Sequence, residues 1–483
     1  MNILSLTVLF PIIMGALLLI LPFKDEEHGP TLFIKIYTGV CLLISALLTV
    51  LSVLYGSAEA STLFKLNDTL VISFSVDSLG RLFSVVMSLV WVCVGFYSFE
   101  YMKHEAHNKR YFGIYILVLG VLMGLCYSAN LVTYYTFYEF MTLGSFAMVL
   151  HNQSHEAVMA SLKYMFYSFA GAYMVLFGLY FVHGAASDKA MFFVEGGIIS
   201  EPCKGVLSVA LLLMIIGFSV KAGMFPMHGW LPTAHPVAPA PASAALSAII
   251  VKSGVLGIIR VIYYIFGSSF FSGSYVQKIV LILSLITVFM GSMLAFKEKV
   301  LKKRLAYSTV SQVSYILFGI FMVNDTAFKG SLIHVAAHAA IKSTLFLCAG
   351  AIIYITGCTK VSELRGIGKK MPVMLWCYTI VSLGLIGIPP FGGFASKWYL
   401  CIGALEADMK VFSFLGPVIL LVSALLTAGY LLPLSIDGFL PGKDFDVSTV
   451  KGEEPKLTML IPIIILTAVS VIVGVFPEVI SWL

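Results

Sequence analysis

Apolar runs of roughly 20 residues alternate along the chain with short polar connections, the spacing of helices that cross a lipid bilayer. About fourteen such runs are predicted, near 3–22, 32–55, 77–99, 111–128, 130–150, 162–183, 206–234, 238–266, 276–296, 304–323, 327–355, 372–406, 411–436 and 457–480. Runs seven and twelve are interrupted. Run seven carries Lys221 inside its apolar stretch and breaks at Pro226, followed by His228 and Pro232; run twelve breaks at Gly387-Ile-Pro-Pro-Phe-Gly-Gly393 and then carries Lys397. A lysine at bilayer depth costs roughly 2.5–3.5 kcal/mol on the lenient insertion scales and rarely persists without a task. The prolines and glycines free backbone carbonyls, which is tolerated beside a cavity or protein neighbours. One broken, lysine-bearing helix in each half of the chain points to an ion path in a repeat-built transporter.

Composition agrees. Of 483 residues, 59% are hydrophobic and 11% charged, against about 25% charged in a soluble domain. The first run has no basic n-region and no cleavage motif, so it is expected to be a retained helix rather than a signal peptide. The net charge of +6 comes from basic residues scattered among short loops and does not indicate nucleic acid. With the runs numbered, odd connections hold seventeen Lys and Arg, Lys24 among them, and even connections six. The excess is expected to put odd loops in the cytoplasm and both termini on the opposite face. The eight cysteines, Cys203 included, form no Cys-x-x-Cys. They read as small buried hydrophobes, and they lack the thiolate spacings of an iron–sulfur cluster.

The deep charges are unbalanced. Glu139 is the one carboxylate at mid-span, whereas Lys221, Lys252, Lys342 and Lys397 are all deep. Desolvation penalises the ammonium form, so such lysines suit taking up and releasing protons. A static Glu139–Lys221 ion pair that ties helices together is the bland alternative. His334, His338 and Lys342 recur at i, i+4, i+8 and share one helix face. Two such histidines also suit zinc, but a third ligand is missing, and a proton relay fits the lysine better. His228 and His235 flank the first break and either link the path to water or satisfy freed carbonyls. Arg260, near a helix end, reads as structural; Asp77 and Glu100 read as interfacial. A carrier of a small organic solute would need more polar residues at mid-depth. A pure scaffold leaves the deep lysines without a role.

Five stretches resemble, in order, the signature of the antiporter-like membrane subunits of respiratory complex I, the Mrp sodium/proton antiporters and the membrane-bound hydrogenases. They are Lys221-Ala-Gly-Met-Phe-Pro-Met-His-Gly-Trp-Leu-Pro-Thr-Ala-His235 with Ala238-Pro-Ala-Pro-Ala-Ser, Lys252-Ser-Gly-Val-Leu-Gly-Ile-Ile-Arg260, Lys303-Arg-Leu-Ala-Tyr-Ser-Thr-Val-Ser-Gln-Val-Ser-Tyr315, His334 to Gly350, and Gly387 to Lys397. The resemblance implies an all-α, polytopic membrane protein of about fourteen transmembrane helices with broken helices 7 and 12. N-terminal helices would occupy 1–110, a first inverted five-helix repeat 111–270, a second 271–436, and a cytoplasmic loop with helix 14 residues 437–483.

Glu139, Lys221, Lys252, His338, Lys342 and Lys397 match the relay positions of that family, and His334 shares the helix face of His338 and Lys342. The resemblance further implies a proton-translocating subunit of a multisubunit, redox-driven pump in the inner (plasma) membrane, or alternatively of an Mrp-type Na⁺/H⁺ antiporter. Its partners would be other membrane subunits, further antiporter-like ones among them, together with the lipid bilayer, H⁺ and possibly Na⁺. No cofactor is expected in this chain, and iron–sulfur clusters would sit only in partner subunits.

Overall fold

The computed structural model describes residues 2–23, 29–199, 204–407, 409–446, 448 and 450–482; Lys24 and Cys203 lie outside them. The helices run α1 (Ile3–Ile20), α2 (Leu32–Tyr55), α3 (Ser78–Tyr101), α4 (Asn108–Cys126), α5 (Leu131–Val149), α6 (His155–Ala185), α7 (Lys204–Ala222), α8 (Leu231–Val237), α9 (Ala240–Ala245), α10 (Val251–Ile259), α11 (Ser268–Phe271), α12 (Tyr275–Lys297), α13 (Leu301–Phe321), α14 (Asp325–Thr356), α15 (Pro372–Ile386), α16 (Gly392–Glu406), α17 (Val411–Phe439) and α18 (Leu457–Val475). Eleven helical stretches among the described residues are long and apolar enough to span a membrane.

Polar residues start the helices where the chain enters them. Thr31, Asp77, Asn130, Ser154, Ser274 and Asn324 each accept a hydrogen bond from the amide three residues on, which meets one of the donors a helix start leaves free. Small residues then let helices approach. A Cβ on Gly171 of α6 would lie 2.6 Å from the carbonyl oxygen of Gly217 on α7, and one on Gly217 2.5 Å from that of Gly171, so only glycine fits this crossing.

Both predicted breaks are present. α7 stops at Ala222 and α8 resumes at Leu231; α15 stops at Ile386 and α16 resumes at Gly392. Each gap contains a cis prolyl bond, Phe225–Pro226 and Pro389–Pro390. The second gap closes so tightly that a Cβ on Gly393 would overlap the Gly384 carbonyl. The segment from α9 through α10 is interrupted too. Two π-helical stretches, Leu246–Ile250 and Arg260–Phe266, flank α10, and every residue from Ala240 to Ile262 is buried. Tyr173 and Tyr180 of α6, and Leu421 and Leu425 of α17, are instead exposed on the outside, as lipid contact requires.

The expectation of an all-α chain needs one correction. Ser61–Lys65 (β1) and Val71–Phe74 (β2) form an antiparallel hairpin. Asn67 closes it by accepting from the Thr69 and Leu70 amides, an Asx turn between two β-rich runs. The hairpin is fastened to the helices by Ser73, whose amide donates to the Thr133 hydroxyl at 3.0 Å.

Connections meet in two sets. Val300, after α12, bridges Lys360, after α14. Lys456, after α17, pairs with Glu100 at the end of α3, as does Lys103. In the other set, Phe74 bridges Ser128 and Asn130 bridges Phe192. The first set carries the lysine-rich loops.

Candidate functional site

The site is a line of polar side chains through the apolar core, and it begins at the end of α7. Lys221 is fully buried there. Its amine donates to the Tyr164 hydroxyl and, at 2.9 Å, to Ser168 Oγ. Tyr164 also shares a hydrogen bond with Ser145 Oγ at 2.5 Å. The cradle stands close because Gly254 of α10 lets its backbone reach α7: a Cβ there would lie 3.1 Å from Lys221 Cβ and against the Phe218 carbonyl. Glu139 on α5 is half-buried and within electrostatic range of Lys221. It forms no ion pair with it among the described residues, and its Oε1 is buried without a hydrogen-bond partner there. The static tie between these two groups is therefore set aside.

The second cluster lies at the centre. Lys252 Nζ meets His338 Nδ1 at 2.5 Å and the Ser247 carbonyl at 3.2 Å. That carbonyl lies in the first π-helical stretch, where the backbone ladder is loosened. The contact joins α10 to α14 across 86 residues of sequence. From His338 the line passes to His334, one turn away, whose ring is 5.8 Å off and nearly parallel. His334 Nδ1 then meets Ser396 Oγ at 2.8 Å, while Tyr315 stacks on the same imidazole at 5.7 Å. Lys342 hangs to one side and donates to the Leu305 carbonyl at 3.1 Å. The same carbonyl accepts from Thr309, whose hydroxyl meets Ser247 Oγ at 2.6 Å.

Lys397 ends the line. Its amine caps the carbonyls of Leu385 and Ile386 at 2.6 and 2.8 Å, which the α15 break releases from the helical ladder. It sits 5.1 Å from the centre of the Tyr315 ring and one residue from Ser396. Lys252, His338, His334, Ser396 and Lys397 are thus consecutive neighbours, with Lys342 on a branch. Lys221 and Lys252 share no hydrogen bond with each other, so a proton crossing between them needs water or a swing of one lysine. Among the described residues, the buried polar atoms without partners include two on this line, Nε2 of His334 and of His338, and both amide atoms of Gln312 on α13. Each such atom costs about 1–3 kcal/mol unless water meets it, which suits a hydrated thread. Among the described residues no three His, Cys, Asp or Glu converge as a metal site would require.

Several functional neighbours escape the reading of the sequence. Ser161, Tyr164 and Ser168 recur at i, i+3 and i+7 on one face of α6, a polar stripe in an apolar helix that the 3.6-residue period reveals. Ser396, beside Lys397, carries no such signal. Arg260 forms a bidentate pair with Asp77 and tethers the end of the α10 segment to the start of α3. This matches its structural reading, and it draws Asp77 out of the simple interfacial role.

Residues 128–427 match a family model described as NADH:quinone oxidoreductase/Mrp antiporter, transmembrane, and residues 65–112 one described as the N-terminus of chain 5 of NADH-ubiquinone oxidoreductase (complex I). The chain is 30% identical over 422 residues to an NADH-quinone oxidoreductase subunit of Desulforudis audaxviator, covering 84% of this chain and 82% of that one. It is 25% identical over 479 residues to a Na(+)/H(+) antiporter subunit of Alkalihalophilus pseudofirmus, covering 99% and 94%. Its fold superposes on a chain of the Mrp complex from Dietzia sp. DQ12-45-1b with a TM-score of 0.85 at 21% identity, over 99% of this chain and 96% of that one. On a chain of respiratory complex I from Thermus thermophilus the score is 0.83 at 21% identity, over 99% and 96%. A family match over most of the length, joined to a relative of this identity and coverage, leaves one conclusion: the chain belongs to the NADH:quinone oxidoreductase/Mrp antiporter transmembrane family.

Proposed function

We propose that the chain carries protons across a membrane as one subunit of a multisubunit, redox-driven ion pump. The observation that supports this most is the Lys252–His338 contact, which joins the two halves of the chain by a pair of fully buried, protonatable groups. In this reading Glu139 and Lys221 form the switch. With Glu139 near, attraction holds the ammonium; when Glu139 is drawn away by a neighbouring subunit's charge, desolvation prevails and Lys221 gives up its proton. The proton passes to Lys252, then by His338 and His334, with Lys342 as a side store, to Lys397 and out.

The finer architecture belongs to the same reading. It has fourteen crossings, with helix halves α7/α8 and α15/α16 each counted once. Two inverted five-helix repeats occupy 111–270 and 271–436, between N-terminal helices over 1–110 and a cytoplasmic loop with a last helix over 437–483. The protein lies in the inner (plasma) membrane with both termini outside the cytoplasm. Redox groups reside in partner subunits, iron–sulfur clusters among them, and further antiporter-like subunits lie alongside. The half-buried carboxylate of Glu139 is suited to sensing such a neighbour. A second reading, a subunit of an Mrp-type Na⁺/H⁺ antiporter, is favoured by the alignment to the antiporter subunit over 99% of this chain.

The test is Lys252→Met in the assembled complex, reconstituted in vesicles with a trapped pH dye. Proton movement should fall at least tenfold while the complex assembles normally. Movement at the unaltered rate would overturn the reading. Driving the vesicles with the complex's electron donor, or with an imposed Na⁺ gradient, separates the two kinds of complex.

A further inference from the structure

A buried line of proton carriers needs a way in, and a cavity of about 260 Å³ lies on the lysine-rich face against the joint between α8 and α9. Its walls come from five parts of the chain at once: Tyr101 at the end of α3 with Glu105 beyond it, Asn152 after α5, Pro239 after α8, Lys302 at the start of α13, and Thr359 after α14. Glu105 is half-buried at the rim. Lys302 lies deeper, 7% exposed, and donates to the carbonyls of Pro236 at 3.1 Å and Ala238 at 2.5 Å. Those carbonyls belong to the proline-rich joint itself.

The residue before Pro236 is His235. It is fully buried, with both ring nitrogens unpartnered among the described residues. An imidazole placed so is costly unless it handles a proton or water. Its ring stacks on Phe346 at 4.8 Å, and Phe346 lies one turn beyond Lys342 on α14. Both Lys302 and Lys342 act on it electrostatically. Lys342 in turn donates to Leu305, one turn beyond Lys302 on α13. His235 therefore stands between a lysine at the cavity floor and a lysine of the central line.

We propose that this cavity is a port through which protons from the lysine-rich face refill the side store of the line, with Glu105 as the surface acceptor, Lys302 as the first relay and His235 as the step to Lys342. The inference rests on the proton-carrying function proposed above and adds its uptake site. The charges at the port suit the task. Burial pushes the Glu105 carboxyl up, opposed by Lys302 and His104. Burial pushes the Lys302 ammonium down to about 7, opposed by Glu105. Burial thus brings the two groups closer in proton affinity. The other titratable groups facing Lys302 are Tyr101 from α3, His235 from α8 and, beyond it, Lys342 from α14. On its own helix Lys303 and Arg304 turn instead to Glu298.

The alternative is that Lys302 only fastens the α8–α9 joint. Arginine separates the two, because it keeps the charge and the carbonyl bonds but does not release a proton. Wild type, Glu105→Gln, Lys302→Arg and Lys252→Met are compared as assembled complexes in vesicles from pH 6 to 9. The port predicts a wild-type rate with an inflection near pH 7 set by Lys302. It predicts rates at least tenfold lower for Glu105→Gln and Lys302→Arg, with that inflection lost in Lys302→Arg and moved to lower pH in Glu105→Gln, which removes the carboxylate that opposes burial at Lys302. If Lys252→Met stops transport while both port variants run at the wild-type rate and profile, the port is wrong and the central line stands. If Lys252→Met itself transports normally, the line falls and the port with it. Should Lys302→Arg fail to assemble, the rate and profile of Glu105→Gln at the half-exposed rim decide alone.

Discussion

Lys221→Met removes one amine from the line and nearly keeps its volume. Two hydroxyls lose a partner. Tyr164 retains Ser145 Oγ at 2.5 Å, so only Ser168 is left wanting. Orphaning one buried hydroxyl costs about 1–3 kcal/mol, and removing the deep lysine returns roughly 2.5–3.5 kcal/mol. The fold should therefore be unharmed, with the α6–α7 crossing at Gly171 and Gly217 intact. Transport should not survive. Without the amine, a proton must cross an apolar wall uncarried. If the barrier rises by about the cost of a charge at that depth, roughly 2.5–3.5 kcal/mol, the rate falls about 70- to 400-fold. The assay is acidification of vesicles holding the assembled complex, normalised to intact complex on a native gel. A rate within about threefold of wild type, a change under 1 kcal/mol, would refute the role of Lys221 and the cradle built around it.

Ser396→Ala takes from His334 the hydroxyl that holds its Nδ1. Losing one ordinary hydrogen bond, about 1 kcal/mol, should slow transport roughly fivefold without altering assembly, and an unchanged rate would remove Ser396 from the line. Lys397→Gln still offers N–H donors to the Leu385 and Ile386 carbonyls but carries no proton; the complex should assemble and fail to pump, and pumping would show that Lys397 only caps the break. Asp77→Asn breaks the pair with Arg260 and should destabilise the protein by about 3–5 kcal/mol, read as a lower unfolding temperature in detergent at pH 7. Burial works against the Asp77 carboxylate, but the Arg260 guanidinium prevails and holds the group below its ordinary range. Its stabilisation is therefore present above about pH 4 and lost as pH falls through the folded value. The gap between variant and wild type should close on acidification, and a gap constant with pH would refute the ion-pair account.

Much of this arrangement is legible in residue type and spacing. A lysine in an apolar run is conspicuous because its cost has no local remedy, and proline beside glycine marks where a helix must stop. So Lys221, Lys252, Lys342 and Lys397, the His334–His338 face and both helix breaks are readable from the chain. What cannot be read is partner choice. Nothing in the run Ala248 to Gly254 says that Lys252 meets His338, because the contact joins distant segments and depends on a π-helical stretch with no composition of its own. The Ser61–Phe74 hairpin lies between two strong helical signals and is too short to compete with them by periodicity. The cavity at Glu105 is assembled from five separate parts of the chain, each ordinary alone.

The two broken helices hold their lysines by different chemistry, and the difference assigns them different work. At the first break the amine faces the hydroxyls of Tyr164 and Ser168. A hydroxyl both donates and accepts, so this cradle rotates to suit an amine that has just gained or lost a proton. At the second break the amine faces two backbone carbonyls, which only accept and cannot turn. That site requires N–H donors at all times and resists a carboxylate in its place without rearrangement of the break. In the proposed mechanism the first cradle therefore suits a group that changes state and the second a group that keeps one orientation. The proposed mechanism accordingly puts its switch at Lys221, within electrostatic range of Glu139, and its terminal at Lys397.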